Sequence, residues 1–446
     1  MSEWRLTVGM EVHVELETKT KMFCGCKNDP FHSEANANVC PVCYGLPGAL
    51  PLLNQEAIKM TVKLGQALKG SIAPKTFWAR KNYFYPDLPK GYQISQSTAP
   101  IVGEATLTID GVEHRIERIH LEEDAGKLTH APDGGSLVDY NRAGVPLMEV
   151  VTKPDFHSAE DAKRFCQELQ RIVRALGISS ADMEKGQMRC EANISVSQDD
   201  NLGTKVEVKN INSFRAVEKT IAYEYDRQIK ALESGEKLIQ ETRNWSDAEG
   251  KTIPMRTKET SADYRYFPEP DLPYVEIEEE EGESVVLPEE QKEKLIALGV
   301  SKDLAQVIVD RHQAEKLLEY GDKAGELAKI YLAKPEVVDL SHQQIEQLIE
   351  ARTIHGLTKD QISEIVEIGL KDENKDLSEF AKEIAGGGDE LEPIIKEVLA
   401  DNPQPLSDYM AGKENAFHYL VGQVMAKTHG RANIQQVREA LARLIR

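Results

Sequence analysis

Val8-Gly-Met-Glu-Val-His-Val-Glu-Leu-Glu17 decides how the first half of the chain is read. Val12, Val14 and Leu16 share one parity, while Glu11, His13, Glu15 and Glu17 share the other. That is the period of a β-strand with one buried face, so the fold starts from a sheet. Two readings of the charged face are open. A half-exposed strand keeps such residues in water. Carboxylates and an imidazole on one face are also the ligand types of a cation.

Working outward, strands and helices mix up to about residue 290. Leu107-Thr-Ile-Asp-Gly-Val112 reads as a hairpin with Asp110-Gly111 at its turn. Ser158 caps a helix through Phe165, Leu169, Ile172, Val173 and Leu176 that stops at Gly177. Asn54 caps another, through Ile58, Val62 and Leu68, ending at Gly70. A Glu-rich stretch, Glu276 to Glu283, then reads as a solvated linker. Beyond it, Pro288, Ser301, Ser341 and Thr358 each open an amphipathic helical pattern; Gly386-Gly-Gly388 interrupts one helix, and Asn402-Pro-Gln-Pro405 sets off the last. The expected organisation is α+β over 1–290, a helical domain over 291–405 and a helical tail over 406–446.

A chain of 446 residues supports two or three such domains. No apolar run reaches membrane-span length, and the first residues lack a secretory layout, so a cytoplasmic protein is expected. The formal charge of -21 excludes a generally adhesive nucleic-acid binder, because the average field repels phosphate. The last forty residues run the other way, with Lys413, Lys427, Arg431, Arg438, Arg443 and Arg446, and form the first place to seek a polyanionic partner.

Cys24-Gly-Cys26 and Cys40-Pro-Val-Cys43 pair four thiols across a loop. In a reducing compartment this pattern suggests structural zinc, because four thiolates fill a tetrahedral site with no open position. Cys166 and Cys190 sit in apolar patterns and read as core thiols. Glu123 shares parity with Ile119 and Leu121 and so points inward, where a carboxylate needs a partner. Glu149 interrupts an apolar run, and Glu191 and Asn193 follow in Met188-Arg-Cys-Glu-Ala-Asn193. These acids beside Glu11 and His13 suit Mg²⁺, or are separately salt-bridged. Arg80 to Tyr92 (RKNYFYPDLPKGY) and Asp263 to Asp271 interleave cations with aromatics, as a phosphate-holding loop or a buried aromatic one would. Gly250-Lys-Thr252 is no P-loop, since Trp245 stands where the motif needs glycine. No nucleophile elbow occurs either.

Taken in order, VGMEVHVELET, NVCPVCYGLPGALPLLN, RKNYFYPDLPKGYQISQ, RIHLEEDAGK, DYNRAGVPLMEVV, QMRCEANISV, EVKNINSFRAVEK and DYRYFPEPDLP resemble the B subunits of the aspartyl/glutamyl-tRNA amidotransferases, the GatB family. AFHYLVGQVMAKTHGRAN resembles the end of that family's YqeY-like region. The resemblance implies a cradle-like catalytic domain, a helical domain and a tRNA-contacting tail. It implies ATP-dependent phosphorylation of the side-chain carboxylate of Glu on tRNA(Gln) or Asp on tRNA(Asn). Ammonia from the glutaminase, the A subunit, then displaces the phosphate, in a heterotrimer of A, B and C subunits. It further implies Glu11, His13, Glu123, Glu149 and Lys81 as catalytic residues. Mg²⁺ would be held by Glu11, His13, Glu123, Glu149 and Glu191, zinc by Cys24, Cys26, Cys40 and Cys43, and Lys90 is a candidate ATP contact. Glu191 stands where the family often has Asp, and Ile434 where it often has Pro. The competing expectation is a zinc-stabilised tRNA scaffold with structural acids. Glu15 and Glu17 are expected to stay solvated.

Overall fold

The computed structural model describes residues 4–131, 134–257, 263–277, 286–385, 388–428 and 434–445. The chain divides into two compact units, Met1–Glu289 and Glu290–Arg446. In chain order the first unit runs β1 (Arg5–Glu15), α1 (Gln55–Ala67), β2 (Lys75–Thr76), β3 (Ala79–Asn82), β4 (Tyr92–Ser95), β5 (Ala105–Ile109) and β6 (Val112–Glu123). It continues through β7 (Lys127–His130), β8 (Ser136–Asp139), β9 (Pro146–Thr152), α2 (Ala159–Ala175), β10 (Met188–Ser197), β11 (Val206–Ile211) and α3 (Phe214–Glu233). β12 (Glu241–Ser246), β13 (Lys251–Thr257), β14 (Phe267–Pro268) and β15 (Val275–Glu276) close it.

The main sheet has the order β13-β12-β11-β10-β1-β9-β6-β4-β3-β14, with β5 hairpinned onto β6. β1 lies antiparallel between β10 and β9, so β9-α2-β10 wraps round it as a split βαβ unit. Both helices were legible in their caps. Ser158 accepts from the Asp161 amide and Asn54 from the Glu56 and Ala57 amides. The β5–β6 turn places Asp110 and Gly111 at φ 48° and 81°, the left-handed pair that a two-residue hairpin requires.

One face of this sheet is the core. Val8, Met10, Val12, Val14 and Leu16 of the opening stretch are 0–1% exposed and pack with Phe165, Leu169, Ile172 and Val173 of α2. Cys166 and Cys190 lie in the same core, as expected of structural thiols.

The second unit is helical: α4 (Pro288–Ala297), α5 (Lys302–Asp310), α6 (Ala314–Leu318), α7 (Ala324–Ala333), α8 (His342–His355) and α9 (Lys359–Gly369) lead. α10 (Leu377–Ala385), α11 (Gly388–Asp401), α12 (Pro403–Met410), α13 (Glu414–Lys427) and α14 (Ile434–Ile445) follow. Ser341 and Thr358 both form capping boxes, with Gln344 and Gln361. Two separate cores result. The last of them draws Leu391, Ile395 and Val398 from α11 together with Leu420, Val424 and Leu441, so it starts before residue 406. Pro403 and Pro405 stand at the start of α12, where a missing N–H costs nothing. Most of the Glu-rich stretch, Gly386-Gly387 and Gly430-Arg-Ala-Asn433 lie outside the described residues. Among the described residues no helix is long and apolar enough to cross a membrane.

Candidate active site and thiol cluster

The other face of the sheet carries charge. Cross-strand partners point to the same side, so register decides which side chains meet. His13 of β1 lies opposite Glu149 of β9, which lies opposite His120 of β6. Two residues back along β1, about 6.6 Å, Glu11 lies opposite Glu191 of β10. Asn193 of β10 lies opposite Glu207 of β11. These rows floor a cavity of about 490 Å³, walled by Lys81, Arg118, Glu122, Lys209, Tyr264 and Tyr266 among others.

The floor holds two clusters. In the first, His13 Nε2 is 3.6 Å from Glu149 Oε2 and 3.8 Å from Glu122 Oε1, while His120 Nε2 is 3.2 Å from Glu149 Oε2. Burial alone would pull the His13 imidazolium down, but Glu149 outweighs it and the group rises to about 9. Burial likewise opposes Glu149, yet His120 and His13 hold it well below the usual carboxylate range. Burial would also lower Lys81; Glu122, Tyr266 and Glu149 raise it instead, so it stays a cation.

In the second cluster, Glu11, Glu191 and Glu207 each bring a carboxylate oxygen within 4.8 Å of the others. Lys209 donates to Glu191 at 2.7 Å and Asn193 to Glu11 at 2.7 Å. Burial and the three carboxylates Glu149, Glu191 and Glu207 push the Glu11 carboxyl up. This ring therefore holds more negative charge than its own cations offset, the condition a divalent ion relieves. Glu122 Oε2 and Asn193 Oδ1 are buried with no hydrogen-bond partner among the described residues. The carboxylate and amide oxygens of this set fit Mg²⁺, while His13, held as the imidazolium, lies beside them as a cation and not as a ligand.

Of the residues singled out from the sequence, Glu11, His13, Lys81, Glu149 and Glu191 meet in this cavity. Glu123 and Lys90 do not line it. Glu123 points inward as its parity implied, but into the core side, where it accepts from Lys90 and from the Ile94 amide. Glu122 takes the cavity side. Glu15, expected in water, is 5% exposed instead; burial and neighbouring Asp124 push its carboxyl up to about 8. Glu17 is exposed and accepts from Ser180. Sequence reasoning missed Glu122, His120, Glu207 and Lys209. Their signal was present in the alternation of Arg118-Ile-His-Leu-Glu122 and of Val206-Glu-Val-Lys209, where each charged residue faces opposite a buried Val, Ile or Leu.

Away from the cavity, Cys24, Cys26, Cys40 and Cys43 converge. Cys43 Sγ lies 3.5, 3.8 and 3.7 Å from the sulfurs of Cys24, Cys26 and Cys40. A tetrahedron with Zn–S bonds of about 2.3 Å has edges of about 3.8 Å, so the set fits zinc. The hydrogen bond from Cys24 draws Cys43 down to about 4 against burial, with Lys21 assisting. Burial raises Cys26 to about 11.

Known proteins resemble this chain along nearly its whole length. The model of the GatB/GatE catalytic domain matches residues 6–283, and that of the GatB domain matches residues 305–445. The chain is 43% identical to the aspartyl/glutamyl-tRNA(Asn/Gln) amidotransferase B subunit of Symbiobacterium thermophilum, over 97% of this chain and 96% of that protein. It is 40% identical to the protein of the same name from a Roseiflexus species, over 98% of each chain. The Crocosphaera subtropica protein of that name is also 40% identical, over 100% of this chain and 98% of its own.

Proposed function

The chain belongs to the family of aspartyl/glutamyl-tRNA(Asn/Gln) amidotransferase B subunits, and from that premise we propose that its charged sheet face phosphorylates and amidates the aminoacyl-tRNA side chain. The carrying observation is the convergence of Glu11 and His13 of one strand with Glu149 and Glu191, far from them in sequence, and with Glu122 and Glu207 on one cavity floor.

The substrate is Glu-tRNA(Gln), Asp-tRNA(Asn) or both, with ATP as phosphoryl donor. A side-chain carboxylate oxygen attacks the γ-phosphorus and ADP departs. Ammonia then attacks the acyl carbon, phosphate leaves with the bonding pair, and one proton is lost. Phosphorylation must come first, because a free carboxylate is a poor acyl donor. Glu11 with Glu191 and Glu207, and Glu149 with Glu122, would hold Mg²⁺ in two groups, and the metal would supply charge neutralisation at the phosphate oxygens, with His13, kept protonated, orienting Glu149 rather than binding the ion. His13 and His120 keep Glu149 ionised and oriented. Lys81, held protonated, binds an anionic phosphoryl group rather than accepting a proton. Glu123 and Lys90 brace the wall instead of touching substrate.

Zinc at the four cysteines is structural. The chain works in the cytoplasm with two partners, the glutaminase and the small C subunit of the heterotrimer, while its helical tail contacts tRNA. The test is phosphorylation by the assembled three-protein complex with γ-labelled ATP and Glu-tRNA(Gln), without any ammonia source. Wild type should label the aminoacyl-tRNA, and Glu149→Gln should not, while still binding tRNA. Equal labelling by both would leave the cavity acids structural and return the chain to the scaffold reading.

A further inference from the structure

Lys21 is 1% exposed, yet among the described residues no carboxylate lies within ion-pair distance of it. Its ammonium donates to the Asn38 carbonyl at 2.9 Å, to the Tyr140 carbonyl at 3.3 Å and to Cys43 Sγ at 3.6 Å. A buried ammonium surrounded only by neutral dipoles is costly, so it needs a counter-charge. The one acceptor here able to carry charge is sulfur. Four thiolates around a divalent zinc leave two negative charges unbalanced, against which a single cation sits in contact.

We propose that Lys21 is the counter-ion of the four-cysteine metal site, a positioning residue whose positive charge and the metal–thiolate charge stabilise one another. The inference rests on the zinc reading above and adds a determinant outside the ligands.

The contacts also give this lysine a mechanical role. Its backbone amide donates to the Cys26 carbonyl at 2.9 Å, inside the thiol loop. Tyr140, at the other end of the side chain, follows β8, and the neighbouring Asn141 accepts from the Asn38 amide at 2.8 Å. Met22 and Phe23, next in sequence, are 0% and 2% exposed in the sheet core. A single ammonium thus ties the metal loop to the catalytic unit at the point where the chain leaves the core.

The experiment measures zinc content and affinity by chelator competition on the full-length chain, for wild type, Lys21→Met, Lys21→Gln and Lys21→Arg. The cobalt-substituted forms supply a thiolate charge-transfer spectrum. Wild type should hold one metal. Lys21→Met and Lys21→Gln should lose affinity by about 10–100-fold, the range for partners outside the ligand shell, with Lys21→Arg between them and wild type. Coupling is reciprocal, so chelation should lower the melting temperature of wild type more than that of Lys21→Met. If Lys21→Met fails to fold, the Gln and Arg pair decides, since they differ in charge. Equal affinity in the neutral variants and wild type overturns the counter-ion role and leaves the zinc site standing. Wild type that binds no metal overturns both.

Discussion

The two faces of one sheet obey opposite rules. On the core face, Val12 and Val14 of β1 share one apolar core with Phe165 and Leu169, and burial there stabilises the fold. On the cavity face of the same strand, Glu11 meets Glu191 and His13 meets Glu149, with Glu207 near by. Like charges placed directly opposite one another destabilise a sheet. A face of that kind persists because the core face supplies the stability, and under the proposed function a bound cation would complete it. The lesson is that stability and the proposed activity of this unit fall on opposite residue parities.

The largest effect expected from testing that separation is on the core side. Phe165→Ala should destabilise the first unit by about 3–5 kcal/mol, read by chemical denaturation, while the remaining folded protein labels aminoacyl-tRNA normally. A loss of turnover per folded molecule would break the comparison. Next, Glu123→Gln leaves Lys90 buried without its partner and should cost about 3 kcal/mol. Its labelling should survive, whereas a cavity carboxylate lost at equal stability should abolish labelling.

Glu11→Gln should behave in the opposite sense. Removing one charge from the Glu11–Glu191–Glu207 ring relieves repulsion, so the unliganded variant should melt at or slightly above wild type while losing labelling by roughly 100-fold or more. Added Mg²⁺ should raise the melting temperature of wild type and do less for the variant. A variant that melts well below wild type would place Glu11 among the structural acids.

The smallest effect is a pH dependence. His114, stacked on Phe156 in the core, has its imidazolium disfavoured by burial. Its folded value lies below its unfolded value, so its contribution is intact above about pH 6.5 and declines as pH falls below it. Melting curves at pH 7.5 and 5.5 should therefore separate less for His114→Phe than for wild type. An unchanged separation would remove His114 from the acid response.

How much of this was legible in the sequence differs between the faces. The alternation in Val8 to Glu17, the caps at Asn54, Ser158, Ser341 and Thr358, and the Asp110-Gly111 turn are local signals, each carried by a few adjacent residues. They marked strands, helices and the change to an all-helical second half. The thiol spacing, also local, marked the loop on which the four cysteines converge. Glu122 and Glu123 show where parity stops helping. Both are buried, because this part of the sheet is covered on both sides, so an inward-pointing acid faces either the core or the cavity. A bulge between Ile116 and Arg118 also resets the alternation partway along β6.

The sequence by itself determined which segments become strands and helices, and which residue types were on hand for the chemistry. It determined too that Glu11 and His13 share a face, since that needs only one strand's period of two. Only the tertiary structure decided that Glu149, His120, Glu122, Glu191 and Glu207 join them, and that Glu123 and Lys90 do not. Those neighbours come from cross-strand register, set by how β9-α2-β10 closes around β1, and a one-residue slip would have sent each of them to the other face.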